Sequence, residues 1–207
     1  VDLLAGGAPC QPFSLGGRHR GQDDKRNLFP EVFRALRELR PRAFILENVR
    51  GLTRKSFAPY FEYILSQLHA PHEVAAGTES WMHHKKRLKT TSRSKSSDHY
   101  SIYYKLINAA DYGVPQARHR IILVGFRSDL DIDWQWPSAT HSQDSLVWAQ
   151  LYGSYWEEHS LPQRQPHRLS NAQRKSLSQN DPPQLHRWQT LRDALVGLPE
   201  PQDGVAS

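Results

Sequence analysis

Short apolar segments alternate with longer amphipathic ones along the first half of the chain, and this alternation is the strongest constraint on the possible fold. Residues 1–5 and 43–46 are apolar runs that end in loop-forming or polar residues, so both are predicted to be buried strands. Two more strands are predicted over 101–107 and 120–126. The alternation of strands and helices predicts an α/β domain with a mostly parallel sheet. Ligands of such sheets bind at the carboxyl ends of the strands.

Two amphipathic helices are predicted between these strands. The first covers residues 28–40, with Asn27 as its N-cap, and the second covers 57–68. Residues 82–99 are basic and rich in serine, so they are predicted to form a loop or a disordered insertion. Their charge alone motivates the hypothesis that they contact phosphates.

The chain changes character after residue 127. Pro, Gln, His and Ser dominate from there onward, and only residues 190–196 are expected to form a short helix. We therefore predict a catalytic core at 1–127 and a polar segment at 128–207.

The net charge, the cysteine count and the lack of a long apolar run limit which classes of protein the chain can belong to. The 207 residues carry a net charge of +6, which fits a nucleic-acid partner and equally fits a basic protein without one. A single cysteine excludes an intrachain disulfide and argues against a cysteine-based zinc site, and a cytoplasmic location follows by default. No apolar run is long enough to predict a membrane span, and no metal is expected.

Three kinds of reactive group are predicted to lie near strand ends. Cys10 follows the first strand, within Ala-Pro-Cys-Gln-Pro-Phe-Ser, and Glu47 ends the second. Arg118 and Arg120 adjoin a later strand. A thiolate can add to an electron-poor ring, a carboxyl kept protonated by burial can bind a ring nitrogen, and an arginine can hold a ring oxygen. Each residue also has an ordinary explanation: an inert buried thiol, a carboxylate bound to backbone amides, or a solvated basic edge.

Three motifs occur in a characteristic order. They are Pro-Cys-Gln-Pro-Phe-Ser at 9–14, Glu-Asn-Val at 47–49 and Gln-x-Arg-x-Arg at 116–120. In this order the chain resembles the DNA (cytosine-5)-methyltransferase family. The resemblance implies the Rossmann-like fold of S-adenosylmethionine-dependent methyltransferases, of which this chain would contain only a part. It also implies methyl transfer to carbon 5 of cytosine in duplex DNA.

The resemblance implies a role for individual residues. Cys10 would be the nucleophile that adds to a base flipped out of the duplex, and Glu47 would contact nitrogen 3 and the exocyclic amine. Arg120 would bind the base, with Arg118 and Gln116 in support, and Asn48 would fix the loop of the cysteine. The methyl donor would lie near Pro9, Asn27 and Leu28, and the DNA-facing residues would be Gln11, Ser14, Arg18, Arg20 and Arg26.

The chain also departs from the family pattern. The Phe-x-Gly-x-Gly loop of the donor site, the target-recognition region and the last two motifs do not occur in it. Residues 190–195 resemble the segment that precedes target recognition. The chain is therefore expected to be the catalytic middle of a longer enzyme, or one half of a split enzyme that a complementing chain completes, and to be inactive alone.

Two alternatives stay open. The first is a tRNA cytosine-5 methyltransferase of the same fold, in which threonine often stands where this chain has Ser14. The second is a non-catalytic remnant that binds nucleic acid. A bacterial restriction–modification setting, with the protein associated with the nucleoid, is an expectation at the level of the family.

Overall fold

The chain is described by a computed structural model that places residues 1–8, 27–91, 98–164, 177–178 and 181–199. It divides into two compact units. One comprises Val1–Ile107 and His119–Gln135, and the other comprises Asn108–Arg118 and Trp136–Ser207. The division into a catalytic core and a polar segment at residue 127 stays a prediction.

A four-stranded sheet organises the first unit. Its strands are β1 (Leu3–Gly6), β2 (Ala43–Val49), β3 (Tyr100–Asn108) and β4 (His119–Arg127), in the order β1-β2-β4-β3. The pair β1–β2 is parallel, whereas β2–β4 is antiparallel. The predicted α/β class is confirmed, and the sheet is mixed rather than mostly parallel. The connection 109–118 joins the sheet neighbours β3 and β4, and it is too short for a parallel pair, which needs a longer crossover.

The first two helices agree with the sequence prediction to within one residue at each end. They are α1 (Phe29–Leu39) and α2 (Ala58–His69). In α1 the buried side chains Phe29, Phe33 and Leu36 recur at helical spacing and join the core beneath the sheet. The N-cap of α1 is Leu28 rather than the predicted Asn27. Asn27 lies one residue outside, where its Oδ1 accepts a hydrogen bond from the Phe29 N–H at 3.3 Å.

A third helix, α3 (Trp81–Thr91), occupies much of the segment that was predicted to be a loop or disordered. That prediction was wrong for residues 82–91, because the basic run consists largely of good helix formers and hides an apolar face. His84 and Leu88, four residues apart, are fully buried, and the Trp81 ring lies edge-on to Tyr60. His84 Nδ1 lies 3.1 Å from the Tyr63 hydroxyl. Packing on α2 therefore stabilises this helix.

The second unit contains more regular structure than its polar sequence predicted. Its elements are β5 (His141–Ser142), α4 (Gln143–Leu151), α5 (Tyr155–Glu158), β6 (His186–Arg187) and α6 (Leu191–Leu195). The helix predicted at 190–196 is confirmed, and Thr190 caps it through a reciprocal capping box with Asp193.

A polar network replaces a large apolar core in the second unit. Both carboxylate oxygens of Asp193 accept hydrogen bonds from Arg187, and one of them also lies 3.0 Å from His159 Nε2. Burial alone would raise the pKa of Asp193, but the hydrogen bonds from Arg187 and Thr190 hold it well below its usual range. Such a network leaves no apolar periodicity in the sequence. Among the placed residues, no helix is long and apolar enough to cross a membrane.

Close packing of β4 on β2 gives a first prediction. A Cβ at Gly125 would lie 2.2 Å from the ring of Phe44, which faces it in the sheet and is fully buried. We expect Gly125→Ala to lower the free energy of unfolding by about 3 kcal/mol, because the core ring has no room to move. Urea denaturation measures the change. Gly6→Ala is the matched control, since a Cβ there meets none of the described residues within 4 Å; equal stability of the two variants would contradict the prediction.

Burial of His84 gives a second prediction. Burial, and then the nearby Arg87 cation, lower the pKa of His84 below its usual value. In the unfolded chain the imidazole takes up a proton near pH 6.5, whereas in the folded chain it resists protonation. The contribution of His84 to the free energy of unfolding is therefore fully present above about pH 6.5, and it falls as the pH drops below that value.

The measurement is the urea midpoint at about pH 7.5 and about pH 5.5. We expect His84→Gln to reduce the loss of stability on acidification. The control is His83→Gln, because His83 is the exposed neighbour in the same helix. Equal effects of the two substitutions would show that burial of His84 is not the cause.

Candidate functional site

The carboxyl end of β2 meets the first residues of β4, and this edge of the sheet carries the central polar pair. In the antiparallel register Val49 is opposite Arg120 and Glu47 is opposite Ile122. Because side chains alternate along a strand, Glu47 and Arg120 project from the same face as diagonal neighbours. The structure thus brings together two residues that lie far apart in the sequence.

Glu47 and Arg120 form a close ion pair. Arg120 Nε lies 2.5 Å from Glu47 Oε1, but the N–H is poorly aligned with that oxygen, so the contact is ionic rather than a good hydrogen bond. Arg120 Nη1 donates to the carbonyl of His119 at 2.8 Å. The Glu47 side chain is 46% exposed and that of Arg120 is 22% exposed. The placed residues therefore do not supply the burial expected to keep Glu47 protonated, and its neutral state stays a prediction.

The end of β1 approaches this pair closely. A Cβ at Gly7 would lie 3.2 Å from the Glu47 carbonyl oxygen and 3.3 Å from Oε2. A side chain there would push against the carboxylate, so glycine keeps the space open. Sequence analysis assigned Gly7 only to a loop, and the adjacent pair Gly6-Gly7 after an apolar run was the available signal.

Asn48 tethers the segment that leads to the cysteine. Its side chain is buried, and its Nδ2 donates to the Ala8 carbonyl oxygen at 3.0 Å. Ala8 directly precedes Pro9 and Cys10 in the sequence. This contact supports the prediction that Asn48 fixes the loop of the cysteine.

Several predicted site residues fall outside the part of the chain that the structure describes. They are Pro9, Cys10, Gln11, Ser14, Arg18, Arg20 and Arg26. Of the two remaining residues expected near the methyl donor, Leu28 is 41% exposed. Asn27 is engaged within the protein, since its Nδ2 donates to the Tyr60 hydroxyl at 2.5 Å and its Oδ1 accepts from Phe29.

The segment that carries Gln116 and Arg118 belongs to the second unit. Both side chains are exposed, and the Gln116 N–H donates to the Val114 carbonyl at 2.7 Å. The Arg118 N–H donates to Asn108 Oδ1 at 2.9 Å, and its carbonyl accepts from the Ala109 N–H at 3.0 Å. The roles of Gln116 and Arg118 toward a base stay predictions.

Asn108 is a structural residue of this segment that sequence analysis missed. It is buried, and its Oδ1 accepts from the Ala110 N–H as well as from Arg118, so one side chain closes both ends of the 108–118 excursion. An asparagine at a strand end, just before a turn, was the available signal.

The turn inside this excursion is also held firmly. Gly113 has φ +88°, and a Cβ there would lie 2.9 Å from the His141 ring, so only glycine fits. The Asp111 carboxylate accepts from Trp188 Nε1 at 2.9 Å, and its carbonyl accepts from the Thr140 N–H at 3.0 Å. These contacts give the exposed Gln116 and Arg118 side chains a fixed base.

The chemistry available at the sheet edge is the recognition of a planar polar ring. A guanidinium offers hydrogen-bond donors and a carboxylate offers acceptors, so together they match a ring that carries both kinds of group on one edge. Within the described residues, no group of three or more His, Cys, Asp or Glu side chains is arranged to hold a metal ion.

Comparison with known proteins gives a consistent result. A family model described as C-5 cytosine-specific DNA methylase matches residues 1–71 and 80–196. The chain is 36% identical over 152 residues to the type II methyltransferase M.NgoMIV of Neisseria gonorrhoeae, an alignment that covers 73% of this chain and 40% of that protein. It is 37% identical over 142 residues to M.AquIA of Picosynechococcus, covering 68% and 49% respectively.

A third relative is the type II methyltransferase M.NaeI of Lentzea aerocolonigenes. The identity is 35% over 140 residues, which covers 68% of this chain and 27% of that protein. The chain therefore spans less than half the length of these three curated relatives. The family resemblance predicted from the three motifs is confirmed.

Loss of the Asn108 side chain is expected to loosen the 108–118 excursion. Asn108→Ala leaves the Arg118 and Ala110 N–H groups without their acceptor, so we expect the free energy of unfolding to fall by about 1–3 kcal/mol. Amide hydrogen exchange at Arg118 should become faster. Asn108→Asp is the control, because it keeps an acceptor oxygen at the same place; exchange at Arg118 unchanged in Asn108→Ala would refute the role.

Proposed function

The chain belongs to the C-5 cytosine-specific DNA methylase family, and on that basis we propose that the protein transfers a methyl group from S-adenosylmethionine to carbon 5 of cytosine in duplex DNA. The observation that carries the proposal is the Glu47–Arg120 pair at the sheet edge, beside the tether that leads to Cys10. The α/β fold predicted for an S-adenosylmethionine-dependent methyltransferase is confirmed.

The proposed reaction begins with a covalent bond between protein and base. The Cys10 thiolate adds to carbon 6 of a flipped cytosine, and the electron pair released into the ring makes carbon 5 nucleophilic. Carbon 5 takes the methyl group, and loss of the carbon 5 proton to a base then expels the Cys10 thiolate and restores the ring. The methyl donor would supply an electrophilic carbon attached to a positively charged sulfur, and the carbon–sulfur bond would break so that the sulfur leaves as a neutral thioether.

Glu47 and Arg120 hold the ring during these steps. A cytosine placed at the pair lets a protonated Glu47 donate to nitrogen 3 and accept from the exocyclic amine, while Arg120 donates to oxygen 2. The guanidinium also offsets the negative charge that develops when the thiolate adds. Each side chain exchanges its present partner for the base, so neither is left unpaired in the complex.

Leu28 and Asn27, the two described residues that are expected near the methyl donor, differ in whether they are free to contact it. Leu28 exposes apolar surface at the start of α1 and can pack against a ligand. Asn27 has both side-chain polar atoms bound within the protein, so its contribution is to position the start of α1. We propose Leu28 as the contact and Asn27 as its support.

The biological setting proposed is bacterial DNA modification. The matched relatives are named type II methyltransferases, and the proposal extends that role to this protein. The exposed Arg118 of the Gln-x-Arg-x-Arg motif and the net positive charge support a polyanionic substrate.

Transfer of tritiated methyl from S-adenosylmethionine tests the proposal directly. Mixed-sequence duplex DNA and tRNA are compared as acceptors, with this chain and with any longer native protein that contains it. With the longer protein we expect label in duplex DNA that disappears in Cys10→Ser, together with a covalent complex on DNA that contains 5-fluorocytosine, whereas this chain alone is expected to be inactive. Label in tRNA alone would favour a tRNA enzyme, and DNA binding without any transfer by the longer protein would favour a non-catalytic binding protein.

Replacing the carboxyl of Glu47 by an amide gives a prediction for the chemical step. Glu47→Gln is expected to slow methyl transfer by about 10²–10⁴-fold, because an amide can bind nitrogen 3 but cannot give it a proton, while DNA binding changes little. Glu38→Gln is the matched control, since Glu38 is an exposed partner of Arg34 on α1. A rate equal to that of the parent would mean that Glu47 is structural.

A further inference from the structure

Helix α3 carries a basic surface that takes no part in the proposed reaction. Its eleven residues include four Lys or Arg side chains and no Asp or Glu. The family model matches the chain from residue 80 onward but leaves 72–79 unmatched, directly before this helix. The helix belongs to the same compact unit as Glu47 and Arg120, so it is a structured cationic element of that unit.

One side of α3 is fixed to the rest of the unit. His84 and Leu88 are buried against α2, and Lys85 Nζ donates to Glu62 at 2.7 Å and to the Pro59 carbonyl at 2.8 Å. Arg87 is also held, by Glu79 at 2.9 Å and by Glu73 at 3.3 Å. Two of the four cations thus serve to dock the helix.

The other two cations face outward. Lys86 and Lys89 are exposed and are separated by three residues, so they lie on one side of the helix, and the exposed His83 continues the row. Glu62, the acidic group that Lys89 influences, is already bound by Lys85. The pKa of Glu62 is lowered chiefly by that hydrogen bond and least by Lys89. The outward face is consequently positive and held in place by the buried one.

The position of α3 connects this face to the candidate site. The Pro59 carbonyl that Lys85 binds belongs to the first turn of α2. That turn follows the segment 50–57, which leaves the Glu47 end of β2 and carries Arg50, Arg54 and Lys55. Cationic residues therefore extend from the end of β2 toward α3.

We propose that Lys86 and Lys89 of α3 bind phosphates of the duplex DNA that flanks the target base. The inference rests on the proposed function and adds a second contact surface to it. Duplex DNA presents one phosphate per 3.4 Å along each strand, and flexible lysine stems three residues apart can reach neighbouring phosphates. Phosphate contacts of this kind raise affinity without reading sequence.

The salt dependence of DNA binding tests the inference. The probe is a fluorescent duplex titrated with the chain between about 50 and 200 mM salt. For Lys86→Gln/Lys89→Gln we expect the slope of log K against log salt to become shallower by about 1.8. The control is Arg34→Gln/Lys105→Gln, which removes the same net charge from exposed positions on α1 and β3 and should leave the slope unchanged.

The outcomes separate this inference from the proposed function. If the parent binds duplex DNA and the Lys86/Lys89 double variant keeps its slope, the inference is wrong and the proposed function stands. If the parent does not bind duplex DNA at any salt concentration, the inference is wrong, and the methyl-transfer assay with the longer protein decides the proposed function. The charge-preserving variant Lys86→Arg/Lys89→Arg should retain the parent slope, and all variants should share its melting temperature; a shallower slope in the arginine variant would also overturn the inference.

Discussion

The antiparallel pairing of β2 with β4 is the contact on which the candidate site depends. The register that sets Val49 opposite Arg120 also places Glu47 diagonal to Arg120 on one face. A slip of one residue would send Arg120 to the opposite face of the sheet and separate the pair. The fit of Gly125 against the Phe44 ring resists such a slip, because only glycine leaves room for that ring. Core packing and site geometry are therefore set by the same strand pair.

The side-chain amides of two asparagines fix the ends of loops, as the β2–β4 register fixes the relative position of the strands. Asn48 holds the Ala8 carbonyl before the cysteine, and Asn108 closes the excursion that contains Gln116 and Arg118. Both asparagines are buried, so losing either bond would leave a backbone group without a partner inside the protein. Reactive or exposed residues can then lie in loops while their attachment points remain ordered.

Secondary structure could be predicted from the sequence where the apolar residues follow a simple strand or helix pattern. The strands of the first unit and helices α1 and α2 were predicted closely, because apolar runs and helical spacing report burial directly. Helix α3 was missed because charge conceals the pair His84 and Leu88. The second unit was underestimated because the hydrogen bonds around Asp193, rather than apolar periodicity, organise it. The motifs predicted the proximity of Glu47 and Arg120, but the exposure of Glu47 depends on tertiary packing and could not be read from them.

The ion pair between Glu47 and Arg120 has a consequence for how the site discriminates among ligands. While the site is empty, each side chain satisfies the other, so neither charge stands alone. Under the proposed function, a cytosine would replace both partners at once, because oxygen 2 accepts from the guanidinium, nitrogen 3 accepts from a protonated carboxyl and the exocyclic amine donates to the other carboxyl oxygen. A ring with acceptors alone would break the pair and leave that carboxyl oxygen without a donor, at a cost of about 1–3 kcal/mol. The ion pair would thus be the reference state against which a base is compared, and it would disfavour incomplete matches before the proposed bond to Cys10 forms.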